Sequence, residues 1–256
     1  MNQIPRRKCV VTGSSKGIGA AAALWFAQNG HDVLVNYAHD REAALIVADK
    51  CRAAGADVLL VRADVANEND CAALADELRK HWGVLDTLVN NAGTLTKVAD
   101  IKDLAALSRQ DFMATYDVNV LGTFQVTRAL TPLMNGRDNA SIVNVSSMAA
   151  VLGTGSSIAY AASKGALNTL TLALARALAP DIRVNAVLPG MVSSNWLDKY
   201  LTPEQVQERR LRYTQRALLK EGIEPEDVAH AIGWLALNAS KVTGQLIELD
   251  AGFKYG

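Results

Sequence analysis

Seven short runs dominated by Val, Leu and Ile recur along the chain: KCVVT (8–12), DVLVNY (32–37), DVLLVRA (57–63), LDTLVN (85–90), ASIVNVS (140–146), IRVNAVL (182–188) and QLIELD (245–250). Most are nearly continuous apolar runs rather than alternating ones, the pattern of strands covered on both faces. Between them lie amphipathic stretches of helical period at 20–29, 41–54, 67–81, 108–134, 155–179 and 225–238. Gly30 and Gly55 stand at expected helix C-termini, each just before a strand. Strand–helix alternation of this kind builds right-handed βαβ units, so the expected fold class is α/β, a single doubly wound parallel sheet with helices on both faces. In such sheets ligands bind beyond the C-terminal ends of the strands, where the strand order reverses.

No repeat, low-complexity tract or Pro/Gly linker divides the 256 residues, and one domain over 1–256 is expected. Lys plus Arg and Asp plus Glu balance at 26 each. A neutral chain argues against a nucleic-acid or anionic-membrane partner. Cys9, Cys51 and Cys71 match no metal spacing, and His31, His39, His81 and His230 form no paired ligand motif. The thiols read as reduced and buried in a cytoplasmic protein. No apolar run reaches the length of a signal-peptide core or a membrane span.

The first run ends in TGSSKGIG, Thr12 to Gly19. Gly13, Gly17 and Gly19 allow a tight turn and close approach of a pyrophosphate, with Ser15, Lys16 and Ile18 between them. The helix that follows presents free N–H groups and the positive end of its dipole to the anion. The spacing is not the common G-x-G-x-x-G. It resembles the glycine motif of the short-chain dehydrogenase/reductase family. NNAG (90–93), NVSS (144–147), YAASK (160–164) and PGMVSS (189–194) follow in that family's order, and VTGQLIELDAGF resembles its C-terminal segment. The resemblance covers nearly the whole chain and implies a Rossmann-like fold that binds a nicotinamide dinucleotide.

It also implies where the cofactor lies. Asp64 and Val65 would meet the adenine, and Asn91, Ala92 and Gly93 the ribose. Pro189, Gly190, Val192 and Ser194 would shape the nicotinamide pocket. The position where NAD-binding relatives carry an acid after the second strand holds Tyr37. Lys16, with His39 or Arg41, is placed to meet a 2′-phosphate. NADP (NADPH) is therefore the expected cofactor, with NAD second. Asp40 reads either as a helix N-cap or as a ribose ligand.

Tyr160 and Lys164 are four apart and share one helix face. A phenol of pKa about 10 needs a neighbouring cation to work as a base at neutral pH. Alone, such a pair is commonplace. Family spacing adds Ser147, with Ser146 its rival, as the group that orients the substrate oxygen, and Asn119 as the support of a kinked helix and a water-linked proton relay. The implied catalytic set is Asn119, Ser147, Tyr160 and Lys164, acting on a carbonyl or secondary alcohol by hydride transfer.

The segment 194–221 reads as a helical substrate lid, with Met148, Leu152 and Met191 as further pocket candidates. An alternative substrate is a 3-oxoacyl carrier protein, whose acidity calls for basic residues at the entrance; Arg137 and Arg183 are the candidates considered. A non-catalytic NADP-sensing module is the reading of another class. The helices at 108–134 and 155–179 are the expected interface of a homotetramer, by resemblance.

Overall fold

The computed structural model describes residues 6–256, so residues 1–5 of the expected domain lie outside the described residues. Seven strands form one parallel sheet: β1 (Arg7–Val11), β2 (His31–Tyr37), β3 (Val58–Arg62), β4 (Thr87–Asn90), β5 (Ala140–Val145), β6 (Ile182–Pro189) and β7 (Leu246–Leu249). Their order is β3-β2-β1-β4-β5-β6-β7. β1 pairs with β2 (Cys9 beside Val33) and with β4 (Val10 beside Leu88), so the order reverses beside β1, as the sequence pattern requires.

The helices are α1 (Gly17–Gln28), α2 (Arg41–Ala53), α3 (Glu68–His81), α4 (Arg109–Tyr116), α5 (Thr123–Leu130), α6 (Ala149–Leu152), α7 (Ile158–Leu178), α8 (Pro203–Arg216) and α9 (Pro225–Gly233). Phe26 of α1, Val47 of α2 and Ile232 of α9 pack on one face of the sheet with Cys9 and Val11. Leu74 and Leu78 of α3, Leu130 of α5 and Leu174 of α7 pack on the other with Val10. Alternate residues of β1 thus enter opposite cores, which is why the strand is apolar throughout. Cys9, Cys51 and Cys71 are free and buried. No described helix is long and apolar enough to cross a membrane.

The stretch 108–134 is not one helix. Between α4 and α5 the chain widens into a π-helical segment, Asp117–Gly122, and it ends in a 3₁₀ turn at Thr131–Leu133. The cause is long-range. Asn119 is fully buried and its amide is committed to groups on other elements, while Thr123 Oγ donates back to the Asn119 carbonyl at 3.1 Å. A π-bulge of this kind admits one extra residue into the helical ladder and turns a chosen side chain inward. The stretch 225–238 likewise passes from α9 into a π-helical turn, Trp234–Asn238. There Arg183 donates to the carbonyls of Leu235, Ala236 and Ala239 at 2.8, 2.8 and 3.0 Å.

Candidate active site

The end of β1 is tied to the end of β4 by side chains of both. Thr12 Oγ1 accepts from the Asn91 and Ala92 amides, each at 3.0 Å, and Asn91 Nδ2 donates to the carbonyls of Thr12 and Gly13 at 2.9 and 3.0 Å. This fixes the crevice where the strand order reverses. Gly13 turns with φ +60°, and a Cβ there would lie 2.9 Å from Ala92 Cα. A Cβ on Gly19 would lie 2.4 Å from Asn91 Nδ2 and 2.6 Å from the Gly13 carbonyl oxygen. The two glycines therefore let α1 close onto the turn.

Lys16 sits at the N-cap of α1, where no side chain accepts the helix's first N–H groups and no acid occupies the first turn. Those unclaimed donors, with the dipole behind them, suit a pyrophosphate. Asn36 braces the turn from below. It is buried, its Oδ1 accepts from the Gly13 amide at 3.0 Å, and its Nδ2 donates to the Ala63 carbonyl at 2.9 Å. A polar residue inside the apolar run DVLVNY was the signal for it in the sequence.

At the far end of the crevice, Tyr37 closes β2 and is buried, while His39 and Arg41 are exposed on the cleft wall. Asp40 caps α2, its Oδ1 accepting from the Ala43 amide at 3.0 Å. Its other oxygen lies 3.7 Å from Lys16 Nζ, in an exposed pair. Asp64 Oδ1 accepts from the Ala66 amide at 3.0 Å, so the carboxylate is a turn residue as well as part of the wall. Val65 packs on Gly122 of the π-helical segment, where a Cβ would come within 2.7 Å of Val65 Cγ2.

The opposite wall carries the reactive groups. Ser157 caps α7, accepting from the Tyr160 amide at 3.2 Å, and so starts the helix about two turns before Lys164. Lys164 is buried, its Nζ donating to the Val145 carbonyl at 2.8 Å and lying 5.7 Å from the centre of the Tyr160 ring. Burial pushes the Lys164 ammonium down to about 8. Burial pushes the Tyr160 phenol up to about 12, against a hydrogen bond with Ser147 that pulls it down. Tyr160 is half-buried and opens on the cleft, so solvent there tempers the upward push without reversing it.

The Lys164 ammonium is turned to the Val145 carbonyl, and desolvation sets the direction of the phenol's shift. The phenol is protonated at neutral pH, which suits donation of a proton to a carbonyl oxygen.

Ser147 and Ser146 both line the cleft but differ in burial and in what holds them. Ser146 is buried, its hydroxyl donating to Asn168 Oδ1 at 2.6 Å and approaching the Lys164 carbonyl at 3.2 Å. Ser147 opens on the cleft beside Tyr160. Asn119 stands behind the wall. Its Oδ1 accepts from the Thr94 amide at 2.7 Å, and its Nδ2 donates to the Thr94 carbonyl and Ser163 Oγ at 3.0 and 2.9 Å. The point where a Gly93 side chain would begin is 3.4 Å from Asn119 Oδ1 and 3.5 Å from Lys164 Nζ, so both polar groups reach the same side of Gly93.

One cleft of about 1770 Å³ is lined by Gly13, Ser15, Lys16, Gly17, Ile18, Tyr37, His39, Arg41, Asp64, Val65, Asn91, Ala92, Gly93, Ser147, Tyr160, Lys164, Pro189, Gly190, Val192 and Ser194. Among the expected catalytic and cofactor-binding residues, Gly19 and Asn119 do not line it; both support it from behind. The volume exceeds that of most small-molecule pockets and leaves space for a dinucleotide and a substrate together. When bound there, a nicotinamide supplies or accepts the hydride. Met148, Leu152 and Met191 line the same cleft. Thr12, Asn36, Thr94 and Ser163 are the supports that sequence reasoning did not find.

Comparison with known proteins agrees with this geometry. A family model described as enoyl-(acyl carrier protein) reductase matches residues 13–254. A relative from Streptomyces violaceoruber, named as a ketoacyl reductase of the granaticin polyketide synthase, is 40% identical over 245 residues, covering 95% of this chain and 94% of its own. The 3-oxoacyl-acyl-carrier-protein reductase FabG of Staphylococcus aureus is 34% identical over 248 residues, covering 96% and 97%. A crystal structure from Burkholderia xenovorans, described as that of a short-chain dehydrogenase/reductase, superposes with a TM-score of 0.91 at 43% identity, covering 99% of this chain and 100% of that one. The chain belongs to the short-chain dehydrogenase/reductase family and is an oxidoreductase of CH–OH and C=O groups.

Proposed function

We propose that the protein is an NADP(H)-dependent reductase of a small carbonyl compound, reversible to the secondary alcohol, in which Ser147, Tyr160 and Lys164 act with Asn119 behind them. One observation carries the reading: the Tyr160 phenol, the Ser147 hydroxyl and the Lys164 ammonium open on the same cleft as the glycine turn. Ser147 holds the carbonyl oxygen, Tyr160 gives it a proton, and Lys164 stabilises the phenolate and would hold the nicotinamide ribose. Asn119 keeps Thr94 and Ser163 in place beside them. Gly13, Ser15, Gly17 and Ile18 would cradle the pyrophosphate; Asp64 and Val65 the adenine; Asn91, Ala92 and Gly93 the ribose; Pro189, Gly190, Val192 and Ser194 the carboxamide end.

The choice of NADP rests on cations where an NAD site needs an acid. Tyr37 is uncharged, Lys16 and Arg41 line the same cleft, and of the acids there Asp40 is held by the Ala43 amide and by Lys16, Asp64 accepts from the Ala66 amide, and Glu42 is exposed in the first turn of α2. Wild-type enzyme should show at least a tenfold higher kcat/KM with NADPH than with NADH, and Lys16→Ala should narrow that ratio. A clear NADH preference would overturn the assignment.

The pH dependence has a definite sign. Reduction needs Tyr160 protonated and Lys164 charged. The phenol keeps its proton up to about 12, whereas the ammonium loses its own as pH rises through about 8. The kcat/KM for carbonyl reduction should therefore be level below about pH 8 and fall above it. A profile that rises from pH 7 to 9 would contradict these roles.

Residues 194–221 form a 3₁₀ turn (Asn195–Leu197) and α8, both on the cleft, consistent with a lid. A 3-oxoacyl carrier protein remains the second reading, favoured by the two named relatives. Arg137 and Arg183 do not serve it: Arg137 pairs with buried Asp86 at 2.8 Å, and Arg183 caps the turn after α9. Met113, Leu121, Phe124 and Leu172, apolar and exposed on α4, α7 and the helix between them, favour association into a homotetramer.

A further inference from the structure

We propose that the substrate carries an oxyanion, carboxylate or phosphate, at the end remote from its carbonyl, and that Arg209 on α8 receives it; this rests on the reductase reading above. Gln205, Glu208, Arg209, Arg212, Tyr213 and Arg216 recur at helical spacing along α8 and line the cleft. Tyr213 fixes the helix's rotation. It is buried, its hydroxyl donates to the Asp250 carbonyl at 2.7 Å, and its ring stacks on Phe253 at 4.5 Å. Arg209, one turn earlier on the same face, is thereby directed to the cleft.

The neighbouring cations are already engaged. Arg216 donates to the Gly256 carbonyl at 2.9 Å and lies over Phe253. Arg212 pairs with Glu208 at 2.7 Å, which consumes the one acid on this face of the helix. Arg210 donates to the Ser194 carbonyl at 3.0 Å and holds the chain that leaves β6. Arg209 is half-buried, and among the described residues it has neither a hydrogen bond nor a carboxylate within 4.0 Å. Lys199, exposed on the same cleft, is likewise without an acidic partner among the described residues. Asp100, across the cleft, has one carboxylate oxygen on the Lys102 amide at 3.0 Å.

A half-buried arginine on a cleft wall, with no counter-charge among the described residues, is a ready partner for an anionic ligand group. Its planar fork matches a carboxylate or a phosphate. The same cleft is also lined by Met148, Leu152, Met191 and Trp196, which suit an uncharged carbon chain. Tyr200, on the same wall, is anchored by its hydroxyl to the Leu95 carbonyl at 2.6 Å. The fitting compound is therefore an oxo acid or a phosphorylated ketone.

The test compares matched pairs with NADPH: 2-, 3- and 4-oxo carboxylates against their methyl esters, and dihydroxyacetone phosphate against dihydroxyacetone. Wild-type enzyme should favour the charged member of at least one pair, and Arg209→Met should reduce that kcat/KM ratio roughly ten- to hundredfold. Arg209→Lys should keep part of it. The two series separate carboxylate from phosphate. Calorimetric titration of glutarate and of inorganic phosphate into the wild-type and Arg209→Met proteins reads the site without turnover, and a matching melting curve establishes that the variant is folded.

Arg209-dependent binding without reduction of any carbonyl would leave the anion site standing and sink the reductase reading. Equal ratios in wild type and variant, with neither anion bound, would overturn the proposal. So would an Arg209 effect seen only when the acyl group rides on an acidic carrier protein, since that places the residue in protein docking.

Discussion

Replacing Tyr160 by Phe should lower kcat for carbonyl reduction by roughly 10²–10⁴, the usual contribution of a positioned general acid. The binding of NADPH should change little. The variant removes one oxygen from a ring that is already packed, and it leaves Lys164 on the Val145 carbonyl and Ser157 on the amide of residue 160. Burial holds the phenol's pKa well above neutrality, so in the wild type the group is a proton donor over the whole working range. Ser147 alone cannot replace it: its hydroxyl can orient the carbonyl oxygen, yet it has no adjacent cation to stabilise the charge left by a departing proton. Initial rates at the nicotinamide absorbance check this, with fluorescence titration of NADPH as the binding control. A variant with near-normal kcat would remove Tyr160 from the mechanism.

The second large effect is expected from Asn119→Ala. The wild-type side chain satisfies the Thr94 amide, the Thr94 carbonyl and Ser163 Oγ, all from a fully buried position. Truncation leaves the Thr94 amide and carbonyl without these partners and Ser163 Oγ with only its bond to the Tyr160 carbonyl, which costs about 3 kcal/mol once partial rescue by water is allowed. In a chain of this length that corresponds to roughly 6–12 °C in melting temperature. Activity should fall further than stability explains, because the Thr94 segment and Ser163 flank the wall that carries Tyr160 and Lys164. Melting curves and kcat measured well below the transition separate the two. A variant that melts like the wild type would mean that the three hydrogen bonds do not hold the π-helical segment.

The sheet and its order were legible because they depend on local pattern. Continuous apolar runs separated by helical periods admit few arrangements, and TGSSKGIG marks the turn where the order reverses. Ser147, Tyr160 and Lys164, the set that the family resemblance implied, line one cleft, because Ser147 follows the end of β5 and the other two share a face of α7. What stayed hidden depends on partners far away in sequence. The run 108–134 has unbroken amphipathic character, and only the reach of Asn119 to Thr94 and Ser163 splits it. Arg137 and Arg183 were read as surface charges, yet their partners are a buried Asp86 and the carbonyls after α9. Conversely, Arg209 drew no notice among the many charges of α8, since the face that meets the cleft is set by Tyr213 on Asp250.

The net rise of the Tyr160 phenol depends on burial by residues distant along the chain and so was not legible in the sequence. Two side chains on one helix face suggest mutual contact, but the ammonium finds the carbonyl of Val145 on β5 first. Desolvation then acts on both groups in the sense opposite to that of a tight ion pair, which would lower the phenol and raise the ammonium: the phenol rises to about 12 and the ammonium falls to about 8.

The most direct measurement is the initial rate of NADPH consumption over a panel of carbonyl compounds. The site as described predicts carbonyl-dependent loss of the nicotinamide absorbance for at least one member, abolished by Tyr160→Phe. NADPH that binds tightly yet is oxidised by no carbonyl compound, with no reverse reaction from NADP⁺ and secondary alcohols, would contradict a catalytic role and leave a cofactor-sensing module in its place.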